Sequence, residues 1–159
     1  MPDHDIDSRF WIGFVSDELD EDELLHGRLL VGRSRDGFYA GVDLWSEAEY
    51  VEQWREGLLR LRDGAATSCL ITDATGIVGL YALYHEGLRL RVFERILILR
   101  EDHDRFSLDD PYSIVRPLQT HNDEGQSLLI WECDFGGVLR FLDDGGPQLA
   151  AERMTAVPG

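Results

Sequence analysis

Histidine flanked by carboxylates is the pattern in this chain that could hold a metal or move a proton. His103 sits between Asp102 and Asp104, and His121, Asp123 and Glu124 follow further along. Imidazole and carboxylate together suit a transition metal, or a general acid paired with a base. Both groups lie in polar loop sequence, where such side chains are ordinarily solvated. The chain carries no H-E-x-x-H pair, no paired C-x-x-C, no phosphate-cradling P-loop and no dinucleotide fingerprint. On this reading no residue is assigned as catalytic, no metal is expected and no cofactor is implied. Weaker still are His85 beside Glu86 at a turn, His26 before Gly27, and His4 near the start. Cys69 and Cys133 sit in the apolar stretches SCLIT and IWECD and read as buried free thiols.

Binding needs only a complementary surface, and two segments could supply one. Glu101 to Asp110, EDHDRFSLDD, holds five acids and one arginine around Phe106 and Leu108. Buried aromatics supply affinity and rim charges supply rate and specificity, so Glu101, Asp102, Asp104, Phe106, Asp109 and Asp110 are the candidate partner-binding residues. The alternative is that Phe106 and Leu108 merely pin the loop to the core. Asp17 to Glu23 holds six acids in seven positions; such blocks are usually a solvated face, with an interaction role as the alternative. Over the whole chain, 31 acids face 15 basic residues, giving a formal charge of −16. A surface that negative repels phosphate backbones and anionic lipid, which disfavours nucleic acid and membrane and points to a basic protein partner.

The elements that must carry these segments can be placed from patterning. A chain of 159 residues with 43% hydrophobic content can bury one core, so a single domain is expected over 9–144, with a disordered N-terminus at 1–8 and a flexible tail at 145–159. Arg9 to Val15 reads as a strand or a hydrophobic strap. His26 to Val31 and Phe38 to Leu44 read as a hairpin whose turn suits Asp36 and Gly37. Ser46 offers an N-cap and Glu49 completes a capping box before YVEQWREGLLRL, where Tyr50, Val51, Trp54, Leu58 and Leu61 form one helical stripe and Gly64 ends the helix. Thr67 to Thr72, Ile77 to His85 and Leu88 to Leu99 follow as strands of an antiparallel meander, turning at Glu86 and Gly87. The run RILIL suggests a strand covered on both faces. Arg100 to Gly125, with Pro111 and Pro117, is expected to wrap the sheet with little regular structure. Gln126 to Cys133 reads as a strand and Phe135 to Leu142 as a short helix weakened by Gly136 and Gly137. The fold class is α+β: an antiparallel meander with one main helix and a short C-terminal helix. The acidic start and the lack of any long apolar run lead to the expectation of a cytoplasmic protein.

The order of motifs says more than any one of them. VDLWSEAEYVEQWREGLLRL, SCLIT, YALYHEGLRLRVFERILIL, FSLDDPYSIVRP and DEGQSLLIWECDFGGVLRFL, in that order, resemble the immunity proteins of bacterial contact-dependent growth inhibition systems. The similarity runs roughly from Val42 to Leu142 and is carried by Trp45, Tyr50, Trp54, Gly57, Leu58, Pro111, Tyr112, Gly125 and Trp131. The resemblance implies a single α+β domain that binds the C-terminal toxic domain of a delivered effector. One branch of that family has an antiparallel fold similar to Whirly proteins and blocks an RNase that cuts ribosomal RNA, an activity that belongs to the partner. An acidic inhibitor of that kind would occupy the nuclease's basic cleft. A stand-alone acidic interaction or regulatory module is the alternative, and an unrecognised hydrolase a further one.

Overall fold

The computed structural model describes residues 8–75, 77–98, 110–115, 118, 124–125 and 129–151. Two antiparallel sheets enclose the core. The first has the order β1 (Phe10–Phe14), β2 (Leu24–Val31), β3 (Ser34–Gly41); the second has the order β4 (Thr67–Ala74), β5 (Ile77–Glu86), β6 (Arg89–Ile98), β7 (Trp131–Asp134). Helix α1 (Glu47–Arg62) joins the sheets, α2 (Phe135–Asp143) follows β7, and a 3-10 turn covers Pro111–Ile114. The architecture is α+β with one main helix and a short C-terminal one. The meander expected from sequence is the second sheet. The N-terminal strands form a sheet of their own.

Helix α1 starts where the capping box places it: Ser46 Oγ accepts from the Glu49 backbone at 3.3 Å, and the Glu49 carboxylate accepts from Ser46 N at 3.1 Å. Asp63 closes the helix and Gly64 follows at φ 112°. The stripe Tyr50, Val51, Trp54, Leu58 and Leu61 is buried as its spacing predicts, and Gln53 and Gly57 are buried beside it. These side chains do the work of a missing neighbour strand along the free edge of β4. Trp54 Nε1 donates to Ile71 O at 2.6 Å, Ile71 N donates to Gln53 Oε1 at 2.6 Å, and Gln53 Nε2 donates to Cys69 O at 2.9 Å. Tyr50 Oη accepts from Ala74 N at 2.9 Å and donates to Gly41 O at 2.5 Å, which ties the end of β3 to β4. An open strand edge invites pairing with another chain, and buried backbone groups left unpaired are costly, so this capping both stabilises and seals the sheet.

The inner face of the first sheet buries Phe14, Leu29 and Phe38, with Phe14 and Phe38 packed on Trp54 of α1. The Phe14 ring centroid lies 4.9 Å from Trp54, 5.8 Å from Tyr50 and 6.0 Å from Phe38. Helix α2 packs on β1 through Phe141 against Phe10, 5.6 Å between centroids. Its two glycines are compatible with the helix because Ser8 O passes where a Gly137 β-carbon would stand. Beyond it, Pro147 O accepts from Arg55 at 2.6 Å and Ala150 N donates to Glu47 at 2.8 Å, so residues 147–150 dock on α1. Cys69 and Cys133 are buried thiols that do not form a disulfide, and burial pushes the Cys69 thiol up to about 12.

Four local expectations change. The β2–β3 turn is made by Gly32 and Arg33, because Val31 pairs with Ser34 and Gly32 supplies the left-handed φ of 60° that a two-residue turn needs. Asp36 and Gly37 are instead inside β3, opposite Leu29 and Arg28. The β5–β6 turn falls one residue later, at Gly87 and Leu88, since Glu86 pairs with Arg89. The RILIL run is not covered on both faces, because Ile96 is 67% exposed. The strand before α2 is Trp131–Asp134, with 126–128 outside the described residues.

Candidate partner-binding surface

The acidic block before β2 is an ordered turn. Asp20 organises it: Asp20 Oδ1 accepts from Asp22 N at 2.8 Å and Leu24 N at 3.0 Å, Asp20 N donates to Leu24 O at 2.9 Å, and Glu23 N donates to Asp20 O at 3.0 Å. Asp20 Oδ2 meets His26 Nε2 at 2.6 Å. The imidazole hydrogen bond first, then the Leu24 amide, hold the Asp20 carboxyl below its ordinary value. With Asp20 spent on scaffolding, Asp17, Glu18, Glu21, Asp22 and Glu23 face solvent around Leu19, which is 48% exposed.

Other acids join this turn at one end of the fold. Leu24 pairs with Gly41, so the β3–α1 linker lies next to it, exposing Asp43 and Leu44. Glu49 of the first helical turn is exposed there too. Asp73 Oδ1 accepts from Gly41 N at 3.0 Å, and burial raises the Asp73 carboxyl. The result is a rim of carboxylates around exposed leucines. Chemically it suits a partner with arginines or lysines around an apolar centre.

A second carboxyl group of residues lies between the sheets. Tyr81 Oη donates to Asp36 Oδ2 at 2.5 Å, and Glu94 pairs with Tyr81 across β5 and β6, near enough to Asp36 to feel its carboxyl. Burial first, and then Asp36, raise the Glu94 carboxyl. Trp131 packs 6.0 Å from Tyr81. Sequence reading missed this group. Its signal was available once the β5–β6 turn was placed, since the register then sets Tyr81 opposite Glu94; the link to Asp36 crosses between sheets and leaves no local trace.

Of the six residues read from sequence as partner-binding, Glu101, Asp102, Asp104, Phe106 and Asp109 lie outside the described residues, as do His103, His121 and Asp123. Asp110 is exposed and occupies the N-cap position of the 3-10 turn at Pro111, where its side chain makes no capping hydrogen bond. The chain leaves β6 at Ile98, which pairs with Ile77, at the same end of the fold as the acidic rim. Among the described residues, no group of three His, Cys, Asp or Glu side chains could hold a metal ion. No helix among them is long and apolar enough to cross a membrane.

Residues 40–141 match the family model described as the CdiI N-terminal domain. The fold superposes with a TM-score of 0.76 on a chain of the "CdiA-CT/CdiI toxin and immunity complex from Enterobacter cloacae", covering 85% of this chain and 97% of that one. The two are 18% identical, so the likeness is one of fold. No curated protein matches the chain.

Proposed function

From the premise that this chain belongs to the CdiI N-terminal domain family, the immunity proteins of contact-dependent growth inhibition, we propose that it binds and neutralises the C-terminal toxin domain of a delivered effector. It does so in the cytoplasm, by binding and not by catalysis, and without metal or cofactor. The toxin is a basic, nuclease-like domain. The observation that carries this reading is the acidic rim at one end of the fold, with Leu19 and Leu44 exposed inside it, on a chain of net charge −16. A cleft built to hold a phosphate backbone must be basic, and an acidic rim competes for the same field while the body of the protein blocks entry. The partner-binding residues proposed from sequence, Glu101, Asp102, Asp104, Phe106, Asp109 and Asp110, carry the same chemistry of acids around an apolar anchor. Nucleic acid and membrane are not partners, for the charge that attracts a basic toxin repels both.

The test is surface-plasmon kinetics against the effector domain encoded beside this chain, with an unrelated toxin domain as control. The association rate should fall as salt shortens the Debye length from about 10 Å at about 0.1 M to about 3 Å at about 1 M. Neutralising Asp17, Glu18, Glu21, Asp22 and Glu23 together, or the five acids of the Glu101–Asp110 segment together, should slow association, while Phe106→Ala should mainly speed dissociation. Association indifferent to salt, with both neutralised variants still protecting cells, overturns the reading.

A further inference from the structure

The outer face of the first sheet differs in chemistry from the rest of the protein. Cross-strand pairing arranges it in rows: Trp11, Leu30 and Arg35; then Gly13, Arg28 and Gly37; then Val15, His26 and Tyr39. Arg28 stands in the middle row between two glycines, so its side chain lies in a trough with walls at either end. A depression of about 370 Å³ is lined by Trp11, Val15, Arg28, Leu30 and Arg35. Tyr39 is 58% exposed and Val15 42%.

The charge pattern is the unusual part. Acids outnumber arginines 31 to 15, and Arg55, Arg62, Arg89 and Arg91 each sit within 4 Å of a carboxylate. Arg28 and Arg35 are exposed and, like Arg33, Arg60 and Arg140, meet no carboxylate within 4 Å among the described residues; what sets them apart is that they share one sheet face. The acid within these three strands, Asp36, turns inward to Tyr81. The face therefore combines positive charge with apolar surface and carries no negative charge of its own strands.

We propose that the outer face of β1, β2 and β3 is a second docking surface for the toxin domain, receiving an apolar segment of the toxin that bears carboxylates while the acidic rim engages its basic cleft. This rests on the functional reading above. Three strands about 4.8 Å apart and five residues long at about 3.4 Å each make a face of roughly 14 by 17 Å, or roughly 240 Å². A stable interface needs about 800 Å² per partner, so the face must work together with adjoining surface. The row Val15, His26 and Tyr39 supplies that continuity, because Asp20 of the acidic turn is bonded to His26. A second copy of this chain is a poor occupant, since a two-fold pairing on this face sets Arg28 and Arg35 against their own copies. A phosphate polymer is repelled by the whole molecule before a local pair of arginines can act. Opposite charges at the two ends of one strip also fix the direction in which a partner lies on it.

The experiment is calorimetric and kinetic binding of the same effector domain to the wild-type protein, to Arg28→Glu/Arg35→Glu, and to Arg62→Glu/Arg89→Glu as an equal charge change elsewhere. Each double variant moves the formal charge by −4, from −16 to −20. Net charge alone would leave association with a basic toxin unchanged or faster. The face pair is expected to bind at least about tenfold more weakly, through faster dissociation, while the distal pair binds as tightly as wild type. Tyr39→Ala, at an exposed position, should weaken binding in the same direction, and circular dichroism melts verify that each variant is folded. A face pair that binds within about twofold of wild type overturns this inference and leaves the functional reading standing. A wild-type protein that does not bind the domain overturns both. A wild-type dimer that Arg28→Glu disperses in sedimentation assigns the face to a second copy and overturns the inference.

Discussion

Replacing Gly57 by alanine sets local propensity against tertiary packing. In an exposed helix interior the change stabilises by about 0.8 to 1 kcal/mol, since glycine loses more backbone freedom on folding. Here the new β-carbon would stand 2.5 Å from Cys69 O, a backbone atom that cannot swing aside. Ordinary carbon–oxygen contacts lie near about 3.3 Å, so α1 must withdraw from β4 by about 0.8 Å. That shift falls on the bonds that seal the β4 edge: Gln53 Nε2 to Cys69 O at 2.9 Å, Trp54 Nε1 to Ile71 O at 2.6 Å and Ser68 Oγ to Gly57 O at 2.7 Å. Overpacking costs about 1 to 3 kcal/mol, and one buried polar group left poorly paired costs about 1 to 3 more. After subtracting the propensity gain, Gly57→Ala should destabilise by about 1 to 5 kcal/mol, lowering Tm by roughly 2 to 4 °C for each kcal/mol. Urea and thermal melts of the two proteins measure it, with Glu56→Ala, at an exposed position on the same helix, as the control for propensity. A Gly57→Ala protein as stable as wild type or more so would refute the close approach of helix and strand.

Two further perturbations probe the core and the carboxyl pair. Trp54 is fully buried against Phe14, Phe38 and Tyr50 and bonded to Ile71 O, so Trp54→Ala should cost about 3 to 5 kcal/mol in urea melts; a change under about 1 kcal/mol would mean the helix face is wrongly assigned. Glu94 has a folded carboxyl value above its ordinary 4.5, from burial and then from Asp36, so the native state binds more protons than the unfolded chain above that value. Stability from this group is present below the ordinary value and is lost as pH rises through the raised one. Glu94→Gln should therefore gain on wild type in thermal melts as pH rises from about 4 to about 7, and a difference that is flat with pH refutes the pairing with Asp36.

Much of α1 was legible before any fold was known. Ser46 and Glu49 form the capping box, and the stripe from Tyr50 to Leu61 is buried, because both depend on helical spacing alone. The β4–β5–β6 meander and the strand leading into α2 were legible for the same reason: patterning with period two and short turns is local information. The family was legible too, from the order of motifs over roughly Val42 to Leu142, against a family-model match at 40–141. Turn chemistry was ambiguous where two glycines compete: Asp36–Gly37 has the better turn composition, yet Gly32–Arg33 makes the turn, with Gly32 at the left-handed φ of 60° and a register that sets Phe38 opposite Gly27, where its ring occupies the space a β-carbon would fill.

The tertiary structure decided what depends on contacts between distant segments. Gln53 falls outside the apolar stripe that the sequence shows; it is buried because the free edge of β4 needs donors and acceptors, and no sequence window shows that edge. The Asp17–Glu23 block read as a charge run, and only its meeting with Asp43, Glu49 and Asp73 makes it a rim around exposed leucines. The outer face with Arg28 and Arg35 was likewise invisible, since charges scattered along a sequence acquire a collective field only when strand register sets them side by side.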